Sequence, residues 1–122
     1  VWTAPDLPVD NMDPVDGRDR AAGLTVHGGS VIRIVDMHPG CASPMHRTNS
    51  LDYGIVLSGE VCLELDDGSV TRLGSGDIIV QRGTMHLWRN PSPTQGCRIA
   101  FVLTAALPVS VAGAELPEVL PA

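Results

Sequence analysis

Val61-Cys62-Leu63-Glu64-Leu65-Asp66-Asp67-Gly68-Ser69-Val70-Thr71-Arg72-Leu73 decides the fold. Its first six residues alternate apolar with mostly polar side chains, the period of a strand with one covered face. Asp67-Gly68 then supplies the positive φ angles of a tight hairpin turn, and Ser69–Leu73 returns. A two-residue loop predicts that Leu65 faces Val70 across the pair. Working outward, similar Val/Ile/Leu-rich runs recur about every ten residues, separated by Gly, Pro, Asn or Asp, and predict strands at Ser30–Met37, Leu51–Leu57, Asp77–Val80, His86–Arg89 and Cys97–Thr104. No window carries a helical period. Seven or so short strands without intervening helices imply an all-β protein whose antiparallel sheets close into a barrel or sandwich.

The chain has 122 residues, 43% of them hydrophobic, which suits one domain with a core of its own. Residues 1–22, rich in Asp and Pro, read as an extended arm that is partly ordered at best. Residues 23–107 read as the barrel, and residues 108–122 as a tail that Pro108, Gly113 and Pro117 keep from forming a long helix. No apolar run approaches the ~18 residues of a membrane span and no charged-then-apolar leader opens the chain, so a soluble, cytoplasmic protein with no membrane partner is expected. Eight arginines, no lysine and 14 acidic residues leave a net charge of −6, which excludes nucleic acid as an expected partner. Three widely spaced cysteines, Cys41, Cys62 and Cys97, offer neither a disulfide framework nor a Cys-x-x-Cys zinc site.

Chemistry is concentrated in two stretches. One runs Gly40-Cys41-Ala42-Ser43-Pro44-Met45-His46-Arg47-Thr48-Asn49-Ser50-Leu51-Asp52, continuing to Gly59. The other runs Gly76-Asp77-Ile78-Ile79-Val80-Gln81-Arg82-Gly83-Thr84-Met85-His86-Leu87-Trp88-Arg89-Asn90. Gly40, His46, Asp52 and Gly59 fall at the spacing of the first cupin motif. Gly83, His86 and Asn90 resemble the second, in which Gly-x-x-His-x-x-x-Asn closes the site. The resemblance implies a jelly-roll barrel, a homodimer paired through sheet edges and swapped terminal strands, and a central ligand set. The family's second histidine is replaced by Thr48, a poor ligand for a divalent transition metal, and its glutamate by the shorter Asp52.

What remains is His46, His86 and Asp52. They match the two-histidine, one-carboxylate set that holds a divalent ion such as Fe, Mn, Zn or Ni with open positions, and a bound ion is expected. The same residues also form a competent metal-free acid–base site. The bland alternatives are satisfied core histidines and, for Asp52, a role at the turn before its strand. Thr48 shares a face with His46 and either binds substrate or fills space. Trp88 shares a face with His86 and offers a flat apolar wall, or plain core. Arg33, Arg47 and Arg98 could each clamp a substrate carboxylate, Arg33 being the one assigned to substrate, although a solvated position is the commoner fate. Tyr53 points away from Asp52, toward core or a subunit interface. His27 and His38 receive no role.

The leading expectation is therefore a small-molecule enzyme using His46, His86 and Asp52 for lyase, isomerase, cyclase or oxygenase chemistry. Its substrate would be a fairly apolar organic molecule of secondary metabolism. The alternative is a non-catalytic sensor barrel for a small ligand.

Overall fold

A computed structural model describes residues 1–20 and 23–120 of the chain. Ten strands follow one another: β1 (Trp2–Ala4), β2 (Ser30–Met37), β3 (Ser50–Ser58), β4 (Glu60–Leu65), β5 (Val70–Gly74), β6 (Ile78–Arg82), β7 (His86–Arg89), β8 (Cys97–Ala105), β9 (Ser110–Val111) and β10 (Ala114–Glu115). All pairings are antiparallel. One sheet has the order β1-β2-β8-β3-β6 and faces a second of order β5-β4-β7, with β9-β10 as a separate hairpin. The protein is all-β, and among the described residues no helix is long and apolar enough to cross a membrane.

The two sheets enclose a core of Val56, Val61, Leu63, Leu73, Trp88, Cys97 and Ile99, extended by Met37, Leu65, Ile79 and Phe101. Fully burying aliphatic groups of this size contributes ~1.5–3 kcal/mol each. Alternation is the cause. Along β3 Ser50, Asp52, Gly54 and Val56 are buried while Leu51, Tyr53, Ile55 and Leu57 are less so, until a bulge between Val56 and Ser58 breaks the register. All three cysteines are free, two buried and Cys41 exposed.

The β4–β5 hairpin corrects the sequence reading. Glu64, not Leu65, pairs with Val70. Leu65 instead closes a turn, its N–H donating to the Ser69 carbonyl while Gly68 donates back to the Leu65 carbonyl. The loop is thus three residues long, Asp66 to Gly68, and Gly68 takes φ +87°, the left-handed position that ends a turn of this length. Asp67 accepts the Ser69 N–H and holds the longer turn in place.

The ends are more integrated than composition suggested. Trp2–Ala4 pairs with Ser30–Ile32, and Thr3, 1% exposed, donates to the Gly17 carbonyl. The tail turns back through Ala112-Gly113, bridges Arg47 through Val119, and places the Glu118 carboxylate on the Asn49 N–H. The boundary expected at residue 22 and the last two residues of the expected tail lie outside the described residues.

Asn90, matched above to a site-closing position, has a structural task. Its side chain is 1% exposed, donates to the carbonyls of Met37 and Gln95, and accepts the Ser92 N–H, so it fastens the loop between β7 and β8 to the end of β2. Asn90→Ala leaves those three backbone groups unpaired. It should lower unfolding free energy by about 2–4 kcal/mol, read as a fall in the urea midpoint at constant slope. An unchanged midpoint would show that the loop holds without it.

Candidate active site

The segment Ala42–Arg47 runs beside β7 and is joined to it by bridges Ala42↔Arg89 and His46↔His86. At the second bridge the backbones exchange both hydrogen bonds, His46 N–H to His86 carbonyl at 2.8 Å and the reverse at 2.9 Å. Residues paired in this way project on the same side of the ladder. The two imidazoles therefore meet with ring centroids 4.3 Å apart, tilted by 52°.

Each ring is set by a backbone carbonyl two residues earlier: His46 Nδ1 lies 2.8 Å from the Pro44 oxygen and His86 Nδ1 lies 2.8 Å from the Thr84 oxygen. A carbonyl only accepts, so each Nδ1 carries the proton. In the neutral rings the lone pairs then sit on Nε2. Among the described residues neither Nε2 has a protein partner, yet no fully buried side-chain nitrogen or oxygen lacks one. Both Nε2 atoms are thus reached from the cavity that His46 and His86 line.

That cavity has a volume of about 320 Å³. Its apolar wall includes Val35, Met37, Trp88, Phe101 and Leu103. Trp88 meets Phe101 edge to face at 5.1 Å and His86 at 6.3 Å, so an aromatic shelf runs up to the imidazole pair. The core and wall readings of Trp88 are both realised, since it belongs to the hydrophobic cluster as well.

The period-2 row that begins at His46 continues through Thr48, Ser50 and Asp52, and all four are buried. Thr48 and Ser50 share a hydroxyl hydrogen bond of 2.7 Å, and Ser50 donates to Asp52 Oδ1. Thr48 and Asp52 line the cavity with the histidines. Sequence reasoning missed Ser50, although following the alternation from His46 to Asp52 would have found it.

Burial sets the charges. It pushes the His86 imidazole down from 6.5 to about 4, against the Thr84 carbonyl, with the neighbouring His46 adding to the depression. His86 is accordingly neutral at pH 7. Burial likewise raises the Asp52 carboxyl, while the Ser50 hydroxyl and the attraction of His46 pull the other way.

The expected metal set does not assemble. Among the described residues no three His, Cys, Asp or Glu side chains stand close enough together to hold a metal ion. His46 and His86 are presented as ligands are, with Nδ1 tied back and Nε2 free. Asp52 belongs to the hydroxyl row instead of completing the pair, and Thr48 adds only a neutral oxygen. The residues present do not fit a two-histidine, one-carboxylate centre.

Arg33 lines the cavity, but its guanidinium reaches the carbonyls of Gly23 and Leu24. Arg98 lies outside, paired with Asp36 at 2.7 Å, and Arg47 donates to the Gly83 carbonyl. His38 and Cys41, given no role above, stand among the lining residues. They arrive from the loop after β2, a neighbourhood made by the fold and invisible to local pattern.

With two sheets, a histidine pair and an apolar cavity in place, a family model described as a cupin domain matches residues 33–103. The chain belongs to the cupin family. This cupin is 54% identical over 91 residues to phomopsin biosynthesis cluster protein C' of Diaporthe leptostromiformis, a match covering 75% of the chain and 48% of that protein. It is 36% identical over 123 residues to the cupin-domain-containing oxidoreductase virC of Hypocrea virens, covering 97% of the chain and 63% of the relative. The chain thus spans about half the length of the former relative and somewhat under two thirds of the latter. Among solved structures, a double-stranded β-helix protein from Klebsiella pneumoniae aligns with TM-score 0.58 and 29% identity over 63% of this chain and 68% of its own. The polyketide cyclase RemF of Streptomyces resistomycificus aligns with TM-score 0.56 and 22% identity over 73% and 58%, which shows shared fold.

Proposed function

We propose that this cupin is a secondary-metabolism enzyme that moves a proton within a fairly apolar carbonyl compound held in the barrel, the step common to isomerases, cyclases and lyases. The observation that carries the reading is the pair of free Nε2 lone pairs facing an apolar cavity beside Trp88 and Phe101. Support for the metabolic setting comes from relatives named for phomopsin and oryzine biosynthesis clusters and as cupin-domain oxidoreductases.

The residues divide the work. His46 Nε2 takes a proton from carbon beside the carbonyl, the C–H bonding pair becomes a carbon–carbon double bond, and the carbonyl π pair moves onto oxygen to give an enolate. The imidazolium then returns that proton, either to another carbon, which isomerises the substrate, or to the alkoxide formed when the enolate carbon attacks a second carbonyl. His86, neutral at pH 7, accepts a hydrogen bond from a substrate hydroxyl and orients it. Rings so close resist carrying two protons at once, so the pair passes a single proton. Asp52 attracts the charge that develops on His46. Trp88 and Phe101 exclude water from the enolate.

The test is hydrogen–deuterium exchange by NMR, in D₂O, at carbon beside the carbonyl in a panel of apolar aryl ketones, using protein purified without a histidine tag. Exchange that survives chelator at substoichiometric transition-metal content is the expected result. Exchange lost to chelator and restored by Fe, Mn, Zn or Ni would overturn the metal-free step. Tight binding of the panel without any exchange would favour the non-catalytic sensor reading instead.

A further inference from the structure

One oxygen lining the cavity is left without a partner. Asp52 is 7% exposed, and its Oδ1 takes the Ser50 proton. Among the described residues Oδ2 has no protein partner, yet no fully buried side-chain oxygen lacks one, so Oδ2 is reached from the cavity that Asp52 lines. Its register neighbours, Gln81 on β6 and Leu103 on β8, give it no hydrogen bond. The hydroxyls of its own row do not serve it either. Each carries one proton, and since Ser50 has spent its proton on Oδ1, Thr48 spends its own on Ser50. A carboxylate oxygen therefore opens onto an apolar space, where an acceptor without a donor is costly.

We infer that Asp52 selects the substrate: its Oδ2 accepts a phenolic hydroxyl, distinct from the one His86 receives. This rests on the reading of the cavity as the site of an apolar carbonyl compound, and it narrows that compound to a hydroxylated aryl ketone. The donor follows from what a ligand can pair. Among the described residues the carboxylate does not stand in one ligand group with His46 and His86. A compact head group with donors on several sides, such as an ammonium, could not reach all three and would bury N–H groups unpaired. A hydroxyl brings one donor for one open acceptor.

An aromatic carrier follows from the next inward position of the strand. Two residues along β3, Gly54 stands opposite Phe101, and a Cβ there would lie 3.2 Å from a carbon of the ring. Glycine thus leaves room for Phe101 on the cavity wall, one pleat from Asp52 and in edge-to-face contact with Trp88. An aryl ring packed on this shelf carries its hydroxyl at its own edge, toward the carboxylate. A hydrogen bond from phenol to carboxylate is also roughly twice as strong as one between neutral groups.

Isothermal titration calorimetry tests the inference with α-tetralone, its ring-hydroxylated isomers and their methyl ethers. In wild type the isomer whose hydroxyl reaches Oδ2 should bind about tenfold to a hundredfold more tightly than its ether and than the parent ketone. Asp52→Asn keeps an oxygen for Ser50 and puts an amide in place of Oδ2. It should lose about tenfold or more of that preference while binding α-tetralone as wild type does, whereas damage to packing would weaken every ligand alike. His86→Asn should retain the preference. Equal affinity of every phenol and its ether in wild type, no binding of any phenol, an undiminished preference in Asp52→Asn, or its loss in His86→Asn alone would each overturn it. The comparison of phenol with ether is made on the wild type and needs no variant to fold. Affinity is read without turnover, so phenol preference without proton exchange would sink the proposed reaction and leave this selection standing, and exchange without preference would do the reverse.

Discussion

His46→Asn should reduce proton exchange at the substrate carbon by about 10²–10⁴-fold, the range that a positioned general base contributes, while leaving the melting temperature within a few degrees of wild type. Asparagine is the informative replacement because its Nδ2–H₂ occupies the place of imidazole Nδ1. It can still donate to the Pro44 carbonyl that His46 now bonds at 2.8 Å, and the bridge to His86 is made by backbone alone. What disappears is Nε2. His86→Asn, by the same logic, retains the bond to Thr84 and removes an acceptor instead of the base. Its effect should be smaller, roughly tenfold to a hundredfold, and confined to substrates that carry a hydroxyl. Single-turnover exchange rates for both variants, set beside their binding of the same ketone by Trp88 fluorescence, separate chemistry from affinity. Equal rates in wild type and His46→Asn would remove His46 from the chemistry and with it the proposed division of labour.

The sequence was most informative where a physical rule acts locally. Seven of the strands were legible within about two residues because alternation and turn-forming Gly, Asn and Asp speak about the same few positions. β1 was not, since three residues are too few to show a period and its order comes from Thr3 meeting Gly17 and the edge of β2. The hairpin register slipped by one because Asp66 joins the turn, a choice made by the geometry of Gly68 that composition cannot distinguish from a two-residue loop. At the site, His46 and His86 announced themselves by residue type and spacing. That Asp52 does not stand in one ligand group with them did not, because it depends on where the tertiary fold sets its carboxylate, which accepts from Ser50. The positions of His38 and Cys41 are products of tertiary placement.

Acidification should destabilise the fold through His86 by about 2 kcal/mol between pH 7 and pH 4.5. The imidazole titrates at about 4 in the folded protein and 6.5 in the free side chain, so the unfolded chain binds a proton that the native state refuses. Well above pH 6.5 both states leave the ring neutral and nothing is lost. As pH falls from there toward 4 the unfolded state gains, and below about 4 both are protonated and the loss levels off near 3 kcal/mol. Asp52 acts in the opposite sense. Its raised carboxyl takes up a proton more readily when folded, which relieves a buried charge as the solution becomes acid. The exposed carboxylates Asp16 and Asp36, held low by Arg18 and Arg98, lose their stabilisation at low pH in every variant and cancel in a difference. The measurement is therefore urea unfolding of wild type, His86→Asn and Asp52→Asn at both pH values. His86→Asn should escape about 2 kcal/mol of the acid-induced loss, and Asp52→Asn should make that loss steeper than in wild type. If His86→Asn fell in parallel with wild type, the ring would titrate in the native cavity as it does in the unfolded chain, and burial would not be what holds it neutral beside His46.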